Sequence, residues 1–194
     1  MEEISLDIQD VVEPKFSPQP ELLLQPTIPL ALHGTNPRTI MGQKWWDTKR
    51  REAYAHNNFH CMACGINRAD ITPKAMLHAH EEYTINYKKA ELKLKRIIAL
   101  CPNCHDIIHS HRYGCLFDQN AIDEEDAWLH ERHKEFVLGE EGIAKRNNLQ
   151  WSHELACANV PWEKWHLVID GVKYFGRFKN KEEWRKHYAT TNKT

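Results

Sequence analysis

The sequence lacks the features that would place the chain in a membrane or mark it for export. Its longest apolar stretches, such as IIALC at residues 97–101, hold about five residues, whereas a bilayer-spanning helix needs roughly 20. The N-terminal MEEISLDIQD is acidic and lacks the basic-then-apolar pattern of a secretion signal. We therefore expect a cytoplasmic protein without a membrane partner. With 41% hydrophobic and 27% charged residues, the composition excludes collagen-like and disordered chains.

A strong net charge is also missing, but only because regions of opposite charge cancel. The 194 residues carry a formal net charge of −1 at pH 7. Residues 1–37 contain one base and six acids, whereas residues 38–112 contain 13 bases and seven acids, a net charge of +6. The central region is therefore the part of the chain that suits a polyanion such as nucleic acid.

Proline is scarce outside the N-terminal region, since six of the nine prolines lie in residues 1–40. Because proline lacks an amide donor and breaks helices, we predict an extended, acidic, Pro-rich arm over residues 1–40. Residues 41–150 are expected to form the main domain. Residues 151–194 are expected to form a separate small ββα unit, with a hairpin turn at Asp170-Gly171 and a helix capped by Asn180. The expected fold class is α+β.

Apolar spacing predicts the elements of the main domain. The predicted helices cover residues 43–57, 86–96, 104–111, 123–138 and 140–148, and strands are predicted at residues 59–66 and 76–79. The first two of these helices carry basic faces. No internal repeat is present.

The six cysteines point to a metal site rather than to disulfides, because no export signal accompanies them. Four of them form two C-x-x-C pairs, Cys61 with Cys64 and Cys101 with Cys104. Two thiolates at i and i+3 on a tight turn can both reach one tetrahedral ion at about 2.3 Å. Two such pairs predict a closed, structural zinc site. Four incidental core cysteines or a redox pair are the alternatives, and neither C-x-x-C follows a strand of a βαβ unit as a redox motif would.

Four histidines lie between or beside these cysteines. His105 and His109 are four residues apart, so on a helix they share one face and can grip one cation. His78 and His80 share one face if their segment is extended. The alternative is that these are surface histidines in a chain that contains 13 histidines.

The remaining cysteines and two further histidines carry no clear functional pattern. Cys115 and Cys157 are expected to be buried free thiols. His130 and His133 belong to an acidic helical segment, and we expect them at its surface.

The two cysteine pairs, LHAHE at residues 77–81 and IIALCPNCHDIIH at residues 97–109 together resemble an HNH endonuclease of the zinc-stapled ββα-metal type. CHDIIHSHR at residues 104–112 is also similar to the end of the colicin DNase motif, and the whole resemblance covers about residues 59–112. It implies an HNH-like core with flanking helices and metal-dependent hydrolysis of phosphodiester bonds in DNA. It also implies a phage or bacterial setting, in the cytoplasm of the bacterium or of the phage's host cell.

The resemblance implies a role for each motif residue. His80 matches the general base that deprotonates the attacking water. His105 and His109 match ligands of a catalytic divalent ion such as Mg²⁺ or Mn²⁺. The four cysteines match a separate structural zinc.

Two positions depart from the family pattern. The residue before the base is often Asp or His and supplies a metal ligand, but it is Ala79 here, so His78 or Glu81 would have to substitute. The family's central Asn is replaced by Arg96, which could instead bind phosphate. These departures leave open a catalytically inactive HNH-fold zinc protein that binds nucleic acid or a protein partner, such as a phage- or defence-related inhibitor.

Basic side chains flank the predicted site and favour DNA, or RNA, as the partner. Contacts to phosphates would give salt-dependent affinity without sequence choice. For either basic cluster alone, a solvated helix face is the alternative. A protein partner is expected to bind, if at all, through the arm or the C-terminal unit. The candidate nucleic-acid contacts are Arg38, Lys49, Arg50, Arg51, Lys88, Lys89, Lys93, Lys95 and Arg96.

Overall fold

The computed structural model describes residues 17–71, 76–110 and 123–191, which form an α+β fold, as predicted. The helices are α1 (Pro37–Met41), α2 (Gln43–His56), α3 (Pro102–Ile108), α4 (Glu124–Ala158) and α5 (Lys181–Thr191). The strands are β1 (His78–Asn86), β2 (Glu91–Leu100), β3 (His166–Ile169) and β4 (Val172–Phe175). Among these described residues, no helix combines the length and the apolar character that a bilayer crossing requires.

The four strands form one mixed sheet in the order β1-β2-β3-β4. β1 and β2 are an antiparallel hairpin in which His80 lies opposite Ile98 and Glu82 lies opposite Arg96. A bulge after Glu82 leaves Lys95 without a cross-strand partner. Because residues directly opposite share a face and faces alternate along a strand, His80, Glu82 and Arg96 lie on one face of the hairpin.

The predicted helix over residues 86–96 is wrong, because most of this segment belongs to β2. Leu92 is buried, Lys93 is exposed, Leu94 is half-buried and Lys95 is exposed, which is the alternation of a strand. The helix propensity of Glu and Lys is outweighed here, since pairing with β1 and β3 supplies the backbone hydrogen bonds. The strand predicted at residues 76–79 is correspondingly longer and continues to Asn86.

The long helix α4 unites the two helical segments predicted for residues 123–148. Asp123 caps its start by accepting a hydrogen bond from the Asp126 amide at 2.8 Å. The predicted interruption is confirmed at Gly139, where φ is 64° and the helix kinks. The helix then continues to Ala158, beyond the predicted end.

The C-terminal hairpin and helix form as predicted, with Asp170 and Gly171 at the turn. The Asn180 side chain accepts a hydrogen bond from the Glu183 amide at 2.9 Å and so caps α5. The hairpin is continuous with the rest of the sheet, because β3 pairs in parallel with β2 from Glu91 opposite His166. The sheet therefore crosses the predicted domain boundary at residue 150, and the three-part division stays a prediction.

The described part of the predicted arm packs on the chain's own core rather than extending away from it. Two short 3-10 turns, Pro20–Leu24 and Leu30–Leu32, bury Leu23 and Leu32 completely. Leu23 joins the core around the cysteines, and Leu32 joins a second core under β2 and β3. Burial of these leucines stabilises the packing of the arm on the core, because each buried leucine contributes about 1.5–3 kcal/mol to the free energy of folding. Residues 1–16 lie outside the described residues.

Candidate metal centres

The four paired cysteines converge on one point between β2 and α3. Their sulfur atoms all lie within 4.8 Å of one another, and Cys64 Sγ is 3.8 Å from Cys101 Sγ. A tetrahedral zinc site with Zn–S bonds of about 2.3 Å has S···S edges of about 3.8 Å, so the spacing fits. Cys64 is half-buried, and Cys61, Cys101 and Cys104 are buried. This cysteine tetrad could therefore hold a metal ion such as zinc, with no coordination position left for water.

Local backbone geometry builds the first half of the tetrad. The Gly65 amide donates to the Cys61 carbonyl at 2.9 Å, and the Cys61 amide donates to the Ile66 carbonyl at 2.9 Å. Gly65 has a φ of 82°, which a glycine adopts without a steric penalty. The Met62 amide donates to the Ala99 carbonyl at 2.8 Å and ties this turn to β2.

The second half of the tetrad is the first turn of α3. Cys101 is the N-cap residue, and the Cys104 amide donates to its sulfur at 3.5 Å. Pro102 starts the helix where its missing N–H costs nothing. Hydrogen bonds from Cys101 and Cys104 lower the pKa of the Cys61 thiol, whereas hydrogen bonds with Cys101 and Cys61 raise the pKa of the Cys104 thiol, so the four thiols share their protons unequally. Deprotonated sulfur is the form that binds metal.

A second cluster lies directly beside the tetrad and consists of His80, His105 and His109. One ring nitrogen of each lies within 4.8 Å of the others, close enough for all three to hold a metal ion. His80 comes from β1, His105 from the last turns of α3, and His109 is the residue that ends α3. The ring centroids are 5.4 Å apart for His80 and His105, 5.0 Å for His80 and His109, and 4.5 Å for His105 and His109. We call this cluster the histidine trio.

Two ring nitrogens of the trio are buried and lack hydrogen bonds. The Nδ1 atoms of His80 and His105 have no partner within the part of the chain that the structure describes. Burial lowers the pKa of His80 to about 3, and the neighbouring His109 and His105 add to the effect, so its imidazole is neutral at pH 7. The neutral imidazole of His80, with an unsatisfied buried nitrogen, fits a metal site, because nearly all buried polar atoms in proteins have a partner.

His78 and Glu81, the proposed substitutes for a family ligand, are near the trio without belonging to it. The His78 ring lies 4.9 Å from the His105 ring, but the residue is exposed. Glu81 is half-buried, and burial raises the pKa of its carboxyl while His105 opposes the shift. Neither residue joins the group whose ligand atoms lie within 4.8 Å of one another.

Arg96, which stands where the HNH pattern has Asn, is held by an ion pair. Its Nε lies 2.5 Å from Glu82 Oε2, and Lys95 Nζ lies 2.5 Å from Glu82 Oε1. Burial by itself would raise the pKa of Glu82, but the hydrogen bonds from Lys95 and Arg96 outweigh it and keep the pKa low. Arg96 therefore neutralises a buried carboxylate on the face of the hairpin that carries His80.

The other candidate phosphate contacts fall into two groups. On α1 and α2, Arg38 donates to Gln43, Lys49 pairs with Glu52 and Arg50 pairs with Asp47, each at 2.8 Å. The remaining candidates are exposed and have no ion pair in the described ranges: Lys88 and Lys89 in the β1–β2 turn, Lys93 on β2 and Arg51 on α2. One cleft is lined by Lys49, Lys95 and Arg96 and so connects α2 with β2.

The prediction that His130 and His133 lie at the surface is wrong. His130 is buried, with 5% of its surface exposed, and His133 is half-buried against the tetrad. Both lie on the face of α4 that packs on α3. The sequence offers only a weak signal for this, the helical spacing of the two histidines with the partly buried Val137.

Arg146 on α4 is a further residue that the sequence analysis missed. Its guanidinium donates to the carbonyl oxygens of Leu23 and Ile107 at 2.8 and 2.7 Å, and to those of Gln25 and Ile108 at 3.2 Å. It thereby fixes the end of α3 from which His105 and His109 project.

The two cysteines outside the C-x-x-C pairs are Cys115 and Cys157. Cys157 is free but half-buried, 3.5 Å from His153 Nε2, and burial raises the pKa of its thiol to about 11. Cys115 lies outside the described residues.

No protein-family model, curated protein or solved structure matches the chain. The likeness to HNH endonucleases therefore rests on the motif residues. In the structure, the β1–β2 hairpin leads directly into α3, and the two cysteine pairs flank the hairpin.

Proposed function

We propose that the protein is a metal-dependent endonuclease of the HNH type that hydrolyses phosphodiester bonds in DNA. The observation that carries the proposal is the histidine trio, which comes from the hairpin and the following helix and lies beside a closed cysteine tetrad. Three nitrogen ligands leave coordination positions for water and substrate, whereas four thiolates leave none.

A divalent ion held by the trio would polarise the scissile phosphate, stabilise the leaving 3′-oxygen and lower the pKa of a bound water. His105 and His109, both at the end of α3, would bind that ion together with His80 from β1. Asp106 Oδ1 lies 3.8 Å from His105 Nδ1 and would help to orient this ring if His105 binds the ion through Nε2. A zinc in the tetrad would hold Cys104, and hence the adjacent His105, in place.

For His80 the geometry favours the role of third ligand over the role of general base that the resemblance implies. A base is most effective when its pKa lies near the working pH, and burial takes the pKa of His80 to about 3. A ligand, in contrast, needs a neutral imidazole close to the other ligands, and His80 satisfies both conditions. The base assignment stays a prediction that metal binding by a His80 variant can separate from the ligand role.

The polyanion would lie along the exposed basic side chains of the hairpin. Lys88, Lys89 and Lys93 are exposed and lack ion pairs in the described part of the chain. These lysines lie on the same β1–β2 hairpin as His80, so the phosphate backbone of a bound nucleic acid could contact the lysines and also reach His80. DNA is the substrate that the HNH likeness implies, and RNA is the competing outcome of the binding assay.

Cleavage of supercoiled plasmid by the full-length protein tests the proposal. Reactions contain Mg²⁺, Mn²⁺ or Ni²⁺, or EDTA, and compare the wild type with His105→Ala and His80→Ala. His187→Gln, which alters a histidine on α5 outside both clusters, is the matched control. We expect metal-dependent nicking that both trio variants lose and that His187→Gln retains. Loss of the second bound ion in His80→Ala would support the ligand role, and its retention would restore the base role.

The alternative function is an inactive HNH-fold zinc protein that binds nucleic acid or a protein. Two observations favour it: Ala79 stands where the family often has a ligand, and Arg96 is paired with Glu82. An intact plasmid with every metal, together with a shifted band in a gel binding assay, would support this alternative. Neither cleavage nor binding would favour a protein partner.

A further inference from the structure

A fifth potential ligand approaches the cysteine tetrad from α4. His133 Nε2 lies 3.2 Å from Cys104 Sγ and 3.9 Å from Cys101 Sγ. His133 is 29 residues beyond Cys104 in sequence, and no C-x-x-C or HNH pattern includes it. The approach therefore depends on how α4 packs on α3.

The grouping of the ligand atoms favours one of two possible roles for this imidazole. The four sulfur atoms all lie within 4.8 Å of one another and suffice for a four-coordinate zinc, and His133 does not belong to this group. A separation of 3.2 Å between nitrogen and sulfur suits an N–H···S hydrogen bond. His133 is thus placed to donate to a ligand of the ion rather than to bind the ion.

We propose that His133 donates a hydrogen bond from Nε2–H to the Cys104 thiolate of the metal-loaded tetrad and thereby attaches α4 to the metal centre. The inference rests on the tetrad holding a metal, which is part of the proposed function. It does not depend on nuclease activity.

This hydrogen bond would offset negative charge at the metal centre. Four thiolates around one divalent cation leave two net negative charges, and Cys61, Cys101 and Cys104 are buried. Donors next to the sulfur atoms spread this charge, as the Cys104 amide does for Cys101 Sγ at 3.5 Å. Loss of such an outer donor commonly weakens metal binding about 10–100-fold.

In the first half of α4, His130 is buried and Val137 and Leu138 pack against the core around the tetrad, whereas Trp128, Leu129 and Phe136 are exposed. A hydrogen bond to the metal centre would add to these contacts in holding this half of the helix against α3. Metal loading and helix docking should then depend on each other.

Two substitutions at position 133 isolate the donor. His133→Phe keeps a planar ring without an N–H, whereas His133→Gln keeps an N–H donor at similar reach. His187→Gln is again the control. The full-length, zinc-loaded proteins are challenged with a competing chelator, and both the affinity and the rate of zinc release are measured.

We expect zinc to bind at least about 10-fold more weakly in His133→Phe, and His133→Gln to stay within about threefold of the wild type. Hydrogen exchange should rise over residues 124–138 in His133→Phe and in chelator-treated wild type. Equal zinc affinity and equal exchange in His133→Phe and wild type would overturn the inference.

Cobalt substitution tests the assigned role against direct ligation. The absorption spectrum of the wild type should be that of four sulfur ligands and should keep that form in His133→Phe. A spectrum of mixed sulfur and nitrogen ligands that changes in His133→Phe would overturn the hydrogen-bond role. A wild type without any bound metal would instead overturn the metal assignment of the tetrad, and this inference with it.

Discussion

The cysteine tetrad and the histidine trio share one short helix but differ in what they leave open. α3 contributes Cys101 and Cys104 to the first cluster, and His105 with the terminal His109 to the second. The tetrad offers four sulfur atoms at tetrahedral spacing. The trio offers three nitrogens, and two of its buried ring atoms lack partners among the described residues. The difference suits one closed site that fixes structure and one open site that performs chemistry.

Because Cys104 and His105 are adjacent, the trio should depend on the tetrad, whereas the tetrad should not depend on the trio. A metal in the tetrad would fix the start of α3 and so position the trio that follows, because metal binding and local folding are coupled. An ion in the trio has no comparable hold on the tetrad, whose first cysteine pair lies on a separate turn. Damage to the tetrad should therefore remove both sites, and damage to the trio should remove only one.

The largest effect is expected from Cys104→Ser. Loss of one thiolate should remove most of the roughly 10 kcal/mol that a structural zinc contributes, and with it the order of α3. Thermal unfolding and metal content measure the outcome. A melting temperature close to that of the wild type, with no zinc bound to either protein, would show that the tetrad is a set of ordinary core cysteines.

The next effect is expected from His105→Ala, which should spare the fold. Cleavage should fall by at least roughly 100-fold, because the ion loses a ligand and its hold on water and phosphate. The zinc content of the tetrad and the melting temperature should stay near those of His187→Gln. Unchanged cleavage would remove the trio from the proposed mechanism.

The loss of stability in acid should depend on bound metal for His80, which belongs to the trio, but not for His153, which lies outside both clusters. Burial lowers the pKa of both His80 and His153, so the unfolded chain binds more protons than the folded chain below about pH 6.5. The free energy of unfolding should therefore fall as the pH drops below about 6.5. In the metal-free protein, the part that is due to His80 should continue to fall until about pH 3.

His153→Gln should remove part of this acid sensitivity, with or without metal, because burial lowers the pKa of His153. The loss attributed to His80 should grow with metal present, because protons then compete with the ion for the imidazole. Urea unfolding between pH 4 and pH 7 checks both. Identical pH profiles for the wild type, His80→Gln and His153→Gln would contradict the assigned causes.

The smallest effect per residue is expected at the basic hairpin. Replacing Lys88, Lys89 and Lys93 with Gln should weaken DNA binding and lower the slope of log affinity against log salt by about 3. The slope is measured by binding titrations at several salt concentrations, with Lys145→Gln on α4 as control. An unchanged slope would place the nucleic acid elsewhere.

Much of both clusters could be predicted because their determinants are local. Cys61 with Cys64 and Cys101 with Cys104 follow from i, i+3 spacing on turns, and His105 with His109 from i, i+4 spacing at a helix end. Such local spacings bring the side chains together independently of how the remainder of the chain folds.

The remainder depends on contacts between distant segments, which spacing does not encode. The segment 86–96 has the composition of a helix, but pairing with β1 and β3 makes it strand. His133 and Arg146 lie on an acidic, amphiphilic stretch, and only the packing of α4 on α3 and the arm brings them to the tetrad and the end of α3.

The count of bound metal ions tests the two-centre account most directly. Native mass spectrometry of the full-length protein, supplied with Zn²⁺ and Mn²⁺, would compare the wild type with His105→Ala and Cys104→Ser. The account predicts two ions in the wild type, one in His105→Ala and none in Cys104→Ser. A single ion in the wild type that persists in His105→Ala would contradict the open histidine site and leave a zinc-stapled binding protein.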